Sequence, residues 1–269
     1  MTASEISKLI EKSYKENELV YEMMISHFSS LSNIPFHTVT LKKGSPIIRA
    51  RYSKNLESFK NLSDISYPKI EYVKEFSRLN RPKQNLFYAS ESEIACITEM
   101  LPFWLDDFKT GDLILVTLCK WIIRNDLKLI VIPDVTNLNN LNKNIINRLQ
   151  QQELLFWNYI SEKFRTSTKE DKKIYEFTSA FSNVLWLNAI KQDLNASGFI
   201  YGSVQSKQHL NIALQTEVIN KKALIPHEIV EIKFQHNGLN EDGLPSYVDL
   251  KERKRGFINI ENAQIEWIN

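Results

Sequence analysis

The chain has 269 residues, 43% of them hydrophobic and 25% charged, with 34 basic and 32 acidic side chains and a net charge of +2. That composition allows a sizeable core in one large domain or two small ones. So even a charge balance does not call for nucleic acid or an anionic membrane as a partner.

Seven glycines and eight prolines leave little material for long disordered linkers. The two cysteines, Cys96 and Cys119, form no CxxC pair and lie among apolar neighbours, so both are expected as buried thiols. The first residues are charged and lack an apolar core of the kind a signal peptide carries. No apolar run approaches the roughly 18 residues that span a bilayer. A soluble, cytoplasmic protein is expected.

In chain order, Ile6, Leu9, Ile10, Val20, Tyr21, Met24 and Phe28 recur at helical spacing, and one amphipathic helix is expected from Ser4, its N-cap, to about Phe28. Pro46–Tyr52 reads as a short strand, residues 53–77 as mostly loop, and Asn85–Ala89 as a second strand. Ser90-Glu91-Ser92-Glu93 has the spacing of a capping box, opening a helix over Glu91–Leu101 that Pro102 should end or kink. Leu113–Leu118 and Leu127–Ile132 read as apolar strands. Residues 137–173 read as a polar helical segment with Ile145, Ile146, Leu149, Trp157, Ile160 and Phe164 as its apolar stripe. Tyr175–Leu187 reads as a further helix. Strands return at Gly198–Val204, Asn211–Leu214 and Ile229–Phe234, with two or three short runs after Pro245. The charge run at residues 251–255 reads as a solvated turn. Strands at both ends with helices between them predict an α+β fold.

Generic signatures are missing from this sequence. There is no GxGxxG, no GxxxxGK[ST] and no GxSxG, and His27, His37, His209, His227 and His236 show no metal-ligand spacing. No metal is expected.

Two segments carry more. One is Arg78-Leu79-Asn80-Arg81-Pro82-Lys83-Gln84-Asn85-Leu86-Phe87-Tyr88-Ala89-Ser90-Glu91, running on to Ile97-Thr98-Glu99-Met100. The other is Gly198-Phe199-Ile200-Tyr201-Gly202-Ser203-Val204-Gln205, followed by Asn211-Ile212-Ala213-Leu214. With Ile48-Arg49-Ala50-Arg51 upstream, they resemble, in this order, the RES-domain family, named for an arginine, a glutamate and a serine. The likeness spans roughly Ile47 to Phe234. The sequence departs from the family pattern at Ser77 and Leu79, where glycine and tryptophan are usual, and at Gly202, where proline is frequent.

The resemblance implies an ADP-ribosyltransferase-like mixed β-sheet core. Residues 1–37 would be an N-terminal helical extension, residues 38–269 the catalytic domain, and residues 137–173 a helical insert. It implies NAD as substrate and a toxin of a toxin–antitoxin pair, held by a partner with a helix-turn-helix domain. The activity implied is NAD glycohydrolase or phosphorylase. ADP-ribosyl transfer to a protein is an alternative, and a non-catalytic NAD- or partner-binding module a further one. The sequence leaves the oligomeric state open, a homo-oligomer included.

Cleaving the nicotinamide–ribose bond makes the ribose carbon cationic, as in glycoside hydrolysis, while the leaving pyridine is neutral. The enzyme must hold the diphosphate, stack the nicotinamide and place negative charge near the ribose. Guanidinium forks suit the first task, an aromatic face the second and a carboxylate the third. On this resemblance Arg49 and Arg78 grip phosphate or ribose, with Arg51 and Arg81 as alternatives. Tyr88 stacks on the nicotinamide, and Glu99 acts at the ribose, where small Ala95 one turn earlier leaves room. Ser203 hydrogen-bonds substrate, having no neighbouring base to make it a nucleophile. Asn211 and Gln205 are weaker candidates.

Overall fold

The structure, a computed structural model, describes residues 3–16, 18–31, 34, 36–136, 140–206, 208–240 and 245–268. Its helices are α1 (Ala3–Glu16), α2 (Val20–Ser30), α3 (Glu93–Asp107), α4 (Asn140–Ile146), α5 (Gln151–Arg165), α6 (Ile174–Lys191) and α7 (Thr216–Asn220). Its strands are β1 (His37–Leu41), β2 (Pro46–Ser53), β3 (Leu86–Ser90), β4 (Leu113–Ile123), β5 (Leu127–Ile132), β6 (Gly198–Gly202), β7 (Leu210–Gln215), β8 (Leu224–Leu239), β9 (Pro245–Asn259) and β10 (Gln264–Trp267). The fold is mixed α+β. No helix among the described residues is long and apolar enough to cross a membrane.

The chain divides into two compact units. The first comprises residues 1–41, 69–86 and 127–215. Its strands run in the order β1-β5-β6-β7. β5 and β6 are parallel, with Leu129 opposite Gly198 and Ile132 opposite Tyr201. β1 and β7 flank them antiparallel. The parallel pair requires a crossover, which α4, α5 and α6 supply.

Beside the strands, α1, α2, α5 and α6 pack through an aromatic cluster. Phe181 meets the rings of Phe28, Phe156, Trp157 and Phe164 at centroid distances of 4.9–6.1 Å. Phe177 takes Tyr14 and Phe28 edge-on at 5.4 Å. The N-terminal helices are therefore part of this core, and so is α5 from the segment read as an insert. Asn137 to Asn139, which begin that segment, lie outside the described residues.

The second unit comprises residues 42–68, 87–126 and 216–269. Its strand order is β3-β2-β4-β8-β9-β10, antiparallel where paired. α3 lies on one face. Cys96, Ile97, Met100 and Trp104 face inward at helical spacing and meet Ile114, Val116, Leu118, Ile232 and Phe234, with Ile48, Ala50 and Tyr52 at the margin.

Several local expectations change. The single N-terminal helix is two. Tyr14 and Val20 are both buried, but six residues apart they cannot share one stripe of period 3.6, and the break before Val20 restores the phase. α1 already includes Ser4, the expected cap. The cap of α3 is Ser92, whose side chain accepts from the Ala95 amide. Pro102 does not end α3, which runs on to Asp107. Pro102 removes one backbone donor, but fully buried Trp104 lies beyond it and is anchored by Phe234 and Tyr247. Residues 251–255 are not a turn. They lie within β9, with Lys254 opposite Glu231, beside an irregularity of register between Ile232 and Phe234 where Lys251 takes φ +59°.

Phe181→Ala should lower stability by about 3–5 kcal/mol, because it empties the centre of the aromatic cluster. Denaturant unfolding measures this, and a loss under about 1 kcal/mol would mean the cluster does not hold the first unit together.

Candidate functional site

Arg49 lies on β2, paired through residues 46–53 with β4 on one side. On the other side it is matched with β3 at Ile48–Ser90. Arg49 reaches toward β3, where its Nη1 donates to the Tyr88 carbonyl at 2.6 Å. Its guanidinium sits 5.2 Å from the Phe87 ring centroid, and Phe87 packs edge-on against Trp121. The Nε is buried and has no hydrogen-bond partner. Among the described residues no carboxylate pairs with it. Burial, and then the charge of Arg51, hold its pKa down to about 10, so it remains a cation at neutral pH. A half-buried cation without an anion is unfavourable by itself. It has the form of an anion receptor with an aromatic wall.

Arg51 is exposed and already engaged. Its Nη1 donates to the Asp64 carbonyl, and it stacks 5.5 Å over Phe59. The two arginines, equivalent by spacing, therefore differ in environment. The ring that meets Arg49 is Phe87. Tyr88 contributes its carbonyl there, and alternation along a strand points its side chain to the other face.

Glu99 is half-buried on α3, near enough to Cys96 for its charge to raise that thiol's pKa. Burial is the larger cause and lifts Cys96 to about 12. Ala95 is fully buried in packed surroundings. Cys96 and Cys119 are both buried free thiols, as expected.

Arg78, Ser203 and Asn211 belong to the first unit. Arg78 donates to the carbonyls of Phe164 and Thr166, at the last turn of α5, and lies 5.0 Å over the Tyr175 ring. That is a helix C-terminal capping role. Arg81 is exposed. Ser203 is 1% exposed. Its amide donates to the His209 carbonyl, and its Oγ accepts from the Ser206 amide. Asn211 is buried on β7 opposite Tyr201. Gln205 lies in the bend after Ser203.

Two buried carboxylates were not singled out from the sequence. Glu231 on β8 is 2% exposed and accepts from Ser58 Oγ at 2.7 Å and Thr117 Oγ1 at 3.4 Å. Burial raises its pKa. The clue was a glutamate at an inward position of an alternating strand. Asp134, just beyond β5, is 6% exposed.

No protein-family model matches the chain, and no curated protein matches it by sequence.

Because the folded-state pKa of Glu231 lies above its unfolded value, folding takes up a proton there. Its contribution to stability is complete below the unfolded value of about 4.5 and is lost as pH rises through the raised folded value. Glu231→Gln removes this dependence. The variant's stability relative to wild type should therefore be higher at pH 8 than at pH 4.5. Unfolding curves at the two pH values check it, and an equal difference at both would show that Glu231 does not titrate in this way.

Proposed function

We propose that this chain cleaves the nicotinamide–ribose bond of NAD, as a glycohydrolase or phosphorylase, on an ADP-ribosyltransferase-like fold. The observation that carries the proposal is Arg49: a cation at neutral pH, with its Nε buried, no carboxylate partner among the described residues and an aromatic ring beside it. A diphosphate supplies what it lacks, two negative oxygens for a planar fork. Support also comes from the sequence, where the Arg49, Glu99 and Ser203 segments follow one another in the order of the RES-domain family.

In this proposal Arg49 grips the diphosphate and Glu99 stabilises the ribose cation. The leaving nicotinamide needs no acid, so no metal or titrating general acid is required. The enzyme works in the cytoplasm as the toxin of a pair, restrained by an antitoxin with a helix-turn-helix domain. The acceptor of the ADP-ribose is water, phosphate or a protein side chain.

Purified protein incubated with NAD should release nicotinamide. The reaction with water alone, with added phosphate and with lysate protein identifies the acceptor. Arg49→Lys, which keeps the charge but loses the fork, should lower the rate roughly 10²-fold, the usual effect of removing one oriented donor. Glu99→Ala should abolish release. No nicotinamide from wild type under any of the three conditions would overturn the proposal.

A further inference from the structure

The parallel strands β5 and β6 end side by side. Their register, Ile132 opposite Tyr201, brings Asp134 level with Ser203 just past the strand ends. Crevices outside the carboxyl ends of parallel strands are where open α/β sheets bind ligands.

The turn carrying Asp134 is held from several directions. Asn142 Oδ1 accepts from the Asp134 amide at 3.2 Å, and Ser161 Oγ donates to the Pro133 carbonyl at 2.8 Å. The same Ser161 oxygen accepts from the Val135 amide at 3.3 Å. One carboxylate oxygen of Asp134, Oδ1, accepts from the Thr136 amide at 3.0 Å and its hydroxyl at 2.7 Å. The other, Oδ2, accepts no hydrogen bond among the described residues, although Asp134 is more than nine-tenths buried. Oδ2 lies so close to Gly202 that a Cβ there would stand 2.7 Å from it. Arg165, at the end of α5, donates to Thr136 Oγ1 and makes no ion pair among the described residues. A fixed acceptor and a fork with spare donors are thus linked through one threonine.

We propose that Asp134 and Arg165 form a sugar-phosphate site in the first unit, in which Asp134 Oδ2 accepts from vicinal hydroxyls and Arg165 binds the phosphate. Neutral hydroxyls suit a buried acceptor better than an ammonium, whose desolvation is far more costly. A guanidinium binds phosphate oxygens in its plane. Gly202 is required because a Cβ there would stand 2.7 Å from Oδ2 and 3.1 Å from the Asp134 Cβ, and would push the carboxylate from its place.

The test is calorimetric titration of the whole chain with ribose 5-phosphate and, separately, with inorganic phosphate. Wild type should bind ribose 5-phosphate saturably. Asp134→Asn keeps the Oδ1 acceptor for Thr136 but loses the charge, and it should weaken ribose 5-phosphate roughly tenfold or more while leaving inorganic phosphate unchanged. Arg165→Gln should weaken both. Gly202→Ala, which keeps both charges but displaces the Asp134 carboxylate, should weaken the sugar phosphate alone. Thermal melts confirm that each variant is folded. No binding by wild type, equal affinity of Asp134→Asn for the sugar phosphate, or selective displacement by a zwitterionic amino acid would each overturn the proposal. Nicotinamide release from NAD is read in parallel. Its absence beside intact sugar-phosphate binding would count against the NAD-cleaving function alone.

Discussion

Transferring a guanidinium from water into a protein interior costs several kcal/mol unless an anion and a full set of acceptors meet it. Arg49 is given one backbone carbonyl and the face of Phe87, and its buried Nε is left without an acceptor. The neighbouring strand and rings accommodate that group. The guanidinium takes a carbonyl on neighbouring β3 and stacks on Phe87, which Trp121 braces. Arg51, two residues away on the same face, turns instead to the Asp64 carbonyl and Phe59. The separation lowers mutual repulsion without supplying either arginine with an anion among the described residues.

In the first unit the aromatic cluster has a comparable directing role. Packing of Trp157 and Phe164 around Phe181 sets the course of α5. Ser161 on that helix pins the turn after β5. The helix end then presents its last carbonyls to Arg78 and its Arg165 to Thr136. Arg78 is therefore bound into the scaffold, while Arg165 retains donors for something else. The same core that stabilises the unit orients the carboxyl ends of β5 and β6.

Much of the secondary structure was legible because it followed one dominant signal. β5 is a short apolar run, β2 a short run rich in β-formers, and α6 a long periodic segment. Misreadings arose where tertiary packing outweighed local chemistry. Trp104 carried α3 past Pro102. The phase jump between Tyr14 and Val20 split a helix that composition alone joins. Pairing with β8 drew the basic run at 251–255 into a strand. For the candidate residues, spacing singled out arginines but could not distinguish free from engaged ones. Arg49 and Arg51 look alike in sequence, and only the neighbours Phe87, Tyr88, Phe59 and Asp64 separate them. Asp134 carries no motif. Its importance comes from strand register and the missing side chain of Gly202, neither of which is local.

The central claim is that Arg49 is a cation awaiting an anion. Thermal unfolding with and without pyrophosphate, in wild type and in Arg49→Met, tests it most directly. A ligand that binds only the folded state at about 100 times its dissociation constant adds about 2.7 kcal/mol. Wild type should gain stability as pyrophosphate is raised. Arg49→Met should be at least as stable as wild type without the anion, because an apolar chain replaces an unpaired, half-buried charge, and should gain little from it. An equal pyrophosphate-dependent gain in both proteins would contradict the claim.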